Sequence, residues 1–216
     1  MAERLPAAYL TGEAWFAGHR FKCDERALVP RSPLAEFINN NFYGLLDHEA
    51  APAILDLCTG GGCIAIACAH AAPNATVHAS DLSPKALALA DENVNMHCLQ
   101  GRVRLFEGSL FEPLDGSYDL IVSNPPYVDA KDIAAMPDEF SHEPILGLAA
   151  GEDGLDLVRV MLSQASQYLK LGGAIVVEVG NSWEALEQAY EQLDFHWLDF
   201  DHGGHGVFML YKNQLD

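Results

Sequence analysis

Between Ala53 and Ser123, apolar runs of strand length alternate with runs of helix length, and that alternation restricts the chain to a small set of folds. Ala53-Ile54-Leu55-Asp56-Leu57 reads as a short buried strand, followed by the glycines 60–62 and a helix from Cys63 to Ala72 that Pro73 stops. Thr76 to Ser80 reads as a second strand, ended by Asp81. Ser83-Pro84 caps the next helix, whose Leu87, Ala90 and Val94 share one face. Val103 to Phe106 and Asp119 to Ser123 are two further strands. Such alternation requires right-handed crossovers and a parallel sheet covered on both faces. Beyond it, Leu155 to Leu169 reads as an amphipathic helix, Lys170 to Gly173 as a turn and Ala174 to Val179 as a strand. A helix over Trp183 to Leu193 precedes two closing strands, near Phe195 to Phe200 and Val207 to Tyr211, with no helix between them. The predicted fold is α/β: a doubly wound, mostly parallel seven-stranded sheet with an antiparallel edge over residues 51–216, preceded by a partly irregular arm or hinge over residues 1–50.

A chain of 216 residues suits one such domain. It carries 31 acidic against 12 basic residues, a formal charge of -19. That surface repels phosphate backbones, whose affinity depends on Lys and Arg displacing counterions, and it attracts a basic protein. Direct nucleic-acid binding is therefore not expected. No run approaches the roughly 20 apolar residues of a membrane helix, and no basic start followed by an apolar run opens the chain, so a cytoplasmic location is expected. The cysteines Cys23, Cys58, Cys63, Cys68 and Cys98 form no Cys-x-x-Cys pair and suggest neither a disulfide framework nor zinc.

Ligands of open α/β sheets bind beyond the carboxyl ends of the strands. Cys58, Thr59, Gly60, Gly61 and Gly62 follow the first strand there, and Asp81 ends the second at the distance where an acid receives ribose hydroxyls. Gly60-x-Gly62-x-x-Ala65 also satisfies the dinucleotide pattern, so NAD fits the layout. Asp56, within the strand just before the glycines, fits S-adenosylmethionine better, because its carboxylate can face an ammonium and would oppose a pyrophosphate.

Asn124-Pro125-Pro126-Tyr127 follows the strand ending at Ser123 and so lies at the same edge. Two prolines fix the backbone and remove two N–H donors, leaving carbonyl oxygens for the pocket. The Asn124 side-chain oxygen and the Pro125 carbonyl can then accept both hydrogens of a substrate NH2 and aim its nitrogen lone pair, while Tyr127 offers a ring face to a planar group.

These residues resemble the signature of enzymes that methylate planar NH2 groups. Tyr9-Leu-Thr-Gly12, Phe16-Ala-Gly18, Leu28-Val-Pro-Arg31-Ser32-Pro33, the Asp56 loop, Val128-Asp129, Phe140-Ser-His142-Glu143-Pro144, Gly151-x-Asp-Gly-Leu155, Glu178-Val-Gly-Asn-Ser182 and Gly203-Gly-x-Gly-Val-Phe-Met-Leu210 extend the likeness over nearly the whole chain. Together they resemble the HemK/PrmC/PrmB protein-glutamine N5-methyltransferases, a Rossmann-like class I S-adenosylmethionine-dependent family. The Ser32-Pro33 version of the arm, Cys58 in place of the loop's first glycine and the Gly-Val-Phe-Met ending are similar to the PrmB branch, which modifies a glutamine of the basic ribosomal protein L-three. The resemblance implies S-adenosylmethionine at Asp56, Cys58, Thr59, Gly60, Gly61, Gly62, Asp81, Ser109, Leu110 and Asn124. It implies catalysis and substrate contact at Asn124, Pro125, Pro126 and Tyr127, with Arg31 in the arm also meeting substrate. Two departures stand out: the sequence starts almost at the hinge that follows the family's helical front domain, so either it is truncated or it recognises substrate without that domain, and Ser109 replaces an acid thought to bond adenine, which leaves adenine to pack on Leu110.

Two other functions share the motif: a DNA or RNA amino-methyltransferase acting on adenine N6, and a non-catalytic S-adenosylmethionine-binding or ribosome-assembly protein. No metal is expected. His142-Glu143 reads as local packing, His202 to His205 as a turn, Trp15 and Phe16 as core or arm packing, and Glu178 as a residue only weakly placed toward the pocket.

Overall fold

In a computed structural model the described residues are 5–47, 50–128, 142–144, 147, 150–151 and 153–216. Residues 129, 140 and 141 of the family-like motifs lie outside them. Among the described residues, strands β1 (Glu13–Phe16) and β2 (His19–Lys22) form a hairpin. The main sheet comprises β3 (Ala53–Leu57), β4 (Thr76–Asp81), β5 (Val103–Glu107), β6 (Tyr118–Ser123), β7 (Leu169–Glu178), β8 (His196–Trp197) and β9 (Val207–Tyr211), in the order β5-β4-β3-β6-β7-β9-β8. The first five strands of that order run parallel, and β9 and β8 close it antiparallel. The chain moves outward from β3 to β5, then returns to β6 on the other side of β3. This reversal opens a crevice at the carboxyl ends of β3 and β6.

Side chains alternate across a strand, and the two faces take different partners. Ile54, Val77, Leu120, Val122 and Val176 pack with helix Cys63–Ala71 and helix Leu34–Asn39 on one side. Leu55, Leu57, Ile121, Ile175 and Val177 pack with helix Asp156–Tyr168 on the other. Phe16, Phe21, Leu34, Phe37 and Phe42 belong to the first of these clusters, so the segment before β3 contributes to the same core as the sheet. Within the hairpin Phe16 is buried whereas Trp15 is exposed, which divides a pair that the sequence reading had treated together.

Three boundaries differ from the sequence reading. Lys170 to Gly173, read as a turn, lies inside β7. Leu169 pairs with Tyr118 and Ala174 with Leu120, so these four residues bulge out of the ladder, with Gly172 at positive φ. The helix after Ser182 ends at Ala189, and the strand read from Phe195 shrinks to His196–Trp197. The helix Pro84–Met96 begins as its sequence predicts: Ser83 Oγ accepts from the Ala86 N–H, with Pro84 at the first position.

Asn93 of that helix is fully buried, and the periodicity of Leu87, Ala90 and Val94 gave no sign of its role. Its Oδ1 accepts from the Lys22 N–H at 2.8 Å, and its Nδ2 donates to the carbonyls of Lys22 (3.2 Å) and Gly61 (2.9 Å). One amide thus joins hairpin, helix and glycine loop. Asn93→Ala strands buried backbone groups and should lower unfolding free energy by about 3 kcal/mol, seen as a lower urea midpoint at unchanged slope. A loss below about 1 kcal/mol would show that this amide does not hold the three elements.

Candidate active site

The parallel register places Leu57 of β3 beside Ser80 on one side and Ser123 on the other, so the loops after all three strands leave the sheet at one level. Buried serines fasten them. Ser123 Oγ donates to the Leu57 carbonyl at 2.7 Å, and Ser80 Oγ donates to the Leu110 carbonyl at 2.9 Å. The Thr59 N–H donates to the Ser80 carbonyl at 3.1 Å. Between these loops lies a cleft of about 780 Å³.

Of the residues expected at the site, Arg31, Cys58, Thr59, Gly60, Gly61, Asp81, Ser109, Leu110, Asn124, Pro125, Pro126 and Tyr127 line this cleft. Gly62 and Asp56 do not. Gly62 sits at φ +82 at the start of the helix Cys63–Ala71, where a Cβ would stand 3.1 Å from that of Ala90, so its role is close packing of two helices. Asp56 lies behind the loop, fully buried. Its Oδ2 accepts from Thr59 Oγ1 at 2.6 Å and the Ala65 N–H at 3.0 Å, which anchors the turn, while its Oδ1 has no hydrogen-bond partner among the described residues. Burial pushes its carboxyl up to about 7, against the two hydrogen bonds and with the help of nearby Asp81.

Asp81 Oδ2 accepts from the Gly60 N–H and Oδ1 from the Ser83 N–H, each at 2.8 Å, so one carboxylate holds the glycine loop and the next helix start together. A carboxylate has about four acceptor positions, which leaves capacity for hydroxyl donors in the cleft. Burial raises its pKa, opposed by these backbone donors. Cys58 takes φ +58 and Leu110 φ +48, left-handed conformations at the two loops that bracket the cleft. The thiol of Cys58 is driven well up by burial and by Asp81 and Asp56, so it stays protonated and unreactive.

On the far wall, no side chain among the described residues bonds the carboxamide of Asn124, which lines the cleft. The Tyr127 hydroxyl donates to Glu178 Oε1 at 2.7 Å, and Ser32 Oγ donates to Glu178 Oε2 at 2.5 Å. Tyr127 therefore presents more than the ring face that its sequence position suggested. Glu178 is a residue that the sequence reading left aside; burial raises its pKa against the bonds from Ser32 and Tyr127. Beneath the ring, Gly180 has φ +47, and a Cβ there would stand 2.6 Å from Tyr127 Cε2, so only glycine fits. Arg31 is engaged by protein: its two terminal nitrogens reach Glu143 at 2.7 and 3.2 Å, and Glu143 also accepts from the Val29 N–H. His202 bonds Glu36 and His205 bonds Asn181.

A doubly wound sheet with a glycine loop, an acid after the next strand and a polar proline turn around one cleft defines a class I methyltransferase domain. Residues 41–142 match the methyltransferase small domain family. The chain is 46% identical over 214 residues to the "Ribosomal protein uL3 glutamine methyltransferase" of Francisella tularensis subsp. tularensis, covering 98% of this chain and 68% of that protein. It is 50% identical over 215 residues to the protein of the same description from Xanthomonas campestris pv. campestris, covering 99% and 69%. A methyltransferase from Pyrococcus furiosus of known structure shares the fold, with a TM-score of 0.64 over 89% of this chain and 88% of that chain at 17% identity. The chain belongs to the family of ribosomal protein uL3 glutamine methyltransferases.

Two outcomes are expected from this geometry. Because the Asp56 pKa is raised on folding, the folded chain holds a proton that the unfolded chain releases near pH 4. Asp56 therefore costs stability as pH climbs from about 4 to about 7. Unfolding free energy of the parent minus that of Asp56→Asn should fall across that window; a flat difference would mean an ionised Asp56 throughout. Tyr127→Phe strands a buried carboxylate oxygen and should cost about 1–2 kcal/mol by denaturant titration. Parent-like stability would return Tyr127 to a ring-face role.

Proposed function

We propose that the chain transfers a methyl group from S-adenosylmethionine to the side-chain amide nitrogen, N5, of a glutamine in ribosomal protein uL3. The observation that carries this reading is the Asn124 carboxamide, unbonded by any side chain among the described residues and placed in the same cleft as the glycine loop and Asp81. The descriptions of the relatives at 46% and 50% identity support the substrate, and a formal charge of -19 suits a basic ribosomal protein.

The residues fit the cofactor. The cleft has room for a nucleoside with its sulfonium chain, and the buried Asp56 Oδ1, without a hydrogen-bond partner among the described residues, leaves an acceptor directly behind the loop. Asp81 would take ribose hydroxyls, the Cys58–Gly61 backbone would border the amino-acid end, and Ser109 and Leu110 would border adenine. When bound, S-adenosylmethionine supplies an electrophilic methyl group on a sulfonium, and that chemistry needs no Lewis acid.

The protein's contribution is orientation. An amide nitrogen is a poor nucleophile because its lone pair is delocalised into the carbonyl. Asn124 Oδ1 and the Pro125 carbonyl accept its two hydrogens and hold the lone pair toward the cofactor side, removing rotational freedom before the reaction. As the new C–N bond formed, the methyl–sulfur bond would break and leave its electron pair on sulfur; the nitrogen would gain positive character, and both carbonyl oxygens would stabilise it more strongly than they did the ground state. One N–H proton then leaves to solvent. Glu178, held by Ser32 and Tyr127, fixes the ring that borders the substrate amide.

Asn124→Ala should reduce kcat on the order of a hundred-fold with little change in KM, the signature of an interaction made chiefly at the barrier. A rate within a few-fold of the parent would leave the motif as a structural turn. Methyl-labelled cofactor offered with a uL3 glutamine peptide, a release-factor peptide and an adenine-containing oligonucleotide separates the substrates. Label confined to the uL3 peptide supports the reading, label in the oligonucleotide replaces it with nucleobase methylation, and binding without transfer indicates a non-catalytic protein.

A further inference from the structure

His19, His70 and His97 come from three separate elements and each bring a ring nitrogen within 4.8 Å of the others. His19 opens β2, His70 lies in the last turn of the helix Cys63–Ala71, and His97 caps the end of the helix Pro84–Met96. The first of these helices starts at the glycine loop, so the cluster sits one helix length, about 13 Å, from the cleft. Nothing in methyl transfer uses these rings. His19 stacks on His70 with centroids 4.3 Å apart, and His97 meets the two edge-on at 5.9 and 5.1 Å.

Hydrogen bonding sets the proton on His97. Its Nε2 lies 2.9 Å from the Arg20 carbonyl oxygen, which can only accept, so Nε2 carries the hydrogen and Nδ1 presents a lone pair. That lone pair points at His70 Nε2, 3.0 Å away. A backbone carbonyl fixing the far nitrogen of an imidazole is the arrangement that prepares a histidine to bind a metal. The 3.0 Å separation is also close to that of two nitrogens sharing one ion at metal–nitrogen distances of about 2.0–2.1 Å. His70 needs only to move its proton from Nε2 to Nδ1, with no net change in charge.

We propose that His19, His70 and His97 form a site for a divalent transition metal that ties the hairpin to both helices. Three imidazole nitrogens select Zn²⁺, Ni²⁺ or Cu²⁺ over Mg²⁺ and Ca²⁺, which prefer oxygen. Water completes the coordination, since all three rings are partly exposed.

The proposal is tested on the full chain by thermal unfolding, a readout independent of methyl transfer. Saturating Zn²⁺ should raise Tm by about 5 °C over chelator-treated protein, and Mg²⁺ should not. His19→Gln and His70→Gln should each remove most of that rise, whereas Cys98→Ser and His202→Gln should keep it. His19 is partly exposed at a strand end, so His19→Gln leaves the core intact. Cu²⁺-loaded parent should show nitrogen hyperfine structure in its electron paramagnetic resonance spectrum, reduced in His70→Gln. No rise with Zn²⁺, an equal rise in a His19→Gln/His70→Gln double variant, or a copper spectrum without nitrogen coupling would overturn the site and leave a hydrogen-bonded ring stack.

Discussion

The arrangement rests on the parallel register of the central strands, locked at its open end by two buried serine hydroxyls. Pairing Leu57 with both Ser80 and Ser123 brings three loops out of the sheet side by side. Ser123 then bonds the Leu57 carbonyl and Ser80 bonds the Leu110 carbonyl, so the end of β6 is tied to the end of β3, and β4 to the loop after β5. A slip of one residue would turn every side chain to the other face and separate the Asp81 wall of the cleft from the Asn124 wall. Glycine loop, Asp81, Leu110 and Asn124 meet because that slip is forbidden by two apolar layers.

Three acids that the fold has taken out of water brace the cleft: Asp81 and Glu178 line it, and Asp56 stands behind its glycine loop. Asp56, Asp81 and Glu178 are each raised in pKa chiefly by burial, and each is held by donors from another element. They are anchors: Asp56 for the loop, Asp81 for the loop and a helix, Glu178 for Tyr127 and Ser32. They also make the cleft favourable to a cationic ligand, which matches the sulfonium and ammonium of the proposed cofactor and opposes the pyrophosphate of a dinucleotide.

Much of this was legible from residue order. Short, mainly apolar runs located β3, β4, β6 and β9 because a strand covered on both faces is mostly apolar, and Ser83-Pro84 marked a helix start through its capping chemistry. Asn124 to Tyr127 were placed at the right edge because topology alone puts the end of β6 beside the end of β3. What escaped depends on contacts between distant segments. Asn93 reads as an ordinary helical polar residue until the Lys22 backbone is brought against it. Glu178 reads as a strand end until Ser32, 146 positions away, reaches its carboxylate. Asp56 was expected at the ligand surface, yet the strand alternation that places Ile54 against the helix turns Asp56 the same way, toward Ala65. The Lys170–Gly173 turn became a bulge because strand pairing continued past it.

Cys58 and Leu110 hold left-handed backbone conformations that cost a side-chain-bearing residue about 1 kcal/mol or more each. The Ser80 bond and the packing of Leu110 against the core hold the Leu110 loop by contacts within the protein, and the Ser123 bond holds the strand end before Cys58 in the same way. Both walls of the cleft are therefore fixed by the protein's own contacts. A ligand that enters meets preorganised loops and loses little free energy to ordering them. Its affinity then depends on how well it matches a fixed contour, and selectivity between cofactor and product falls to the one group in which they differ, the methyl-bearing sulfonium.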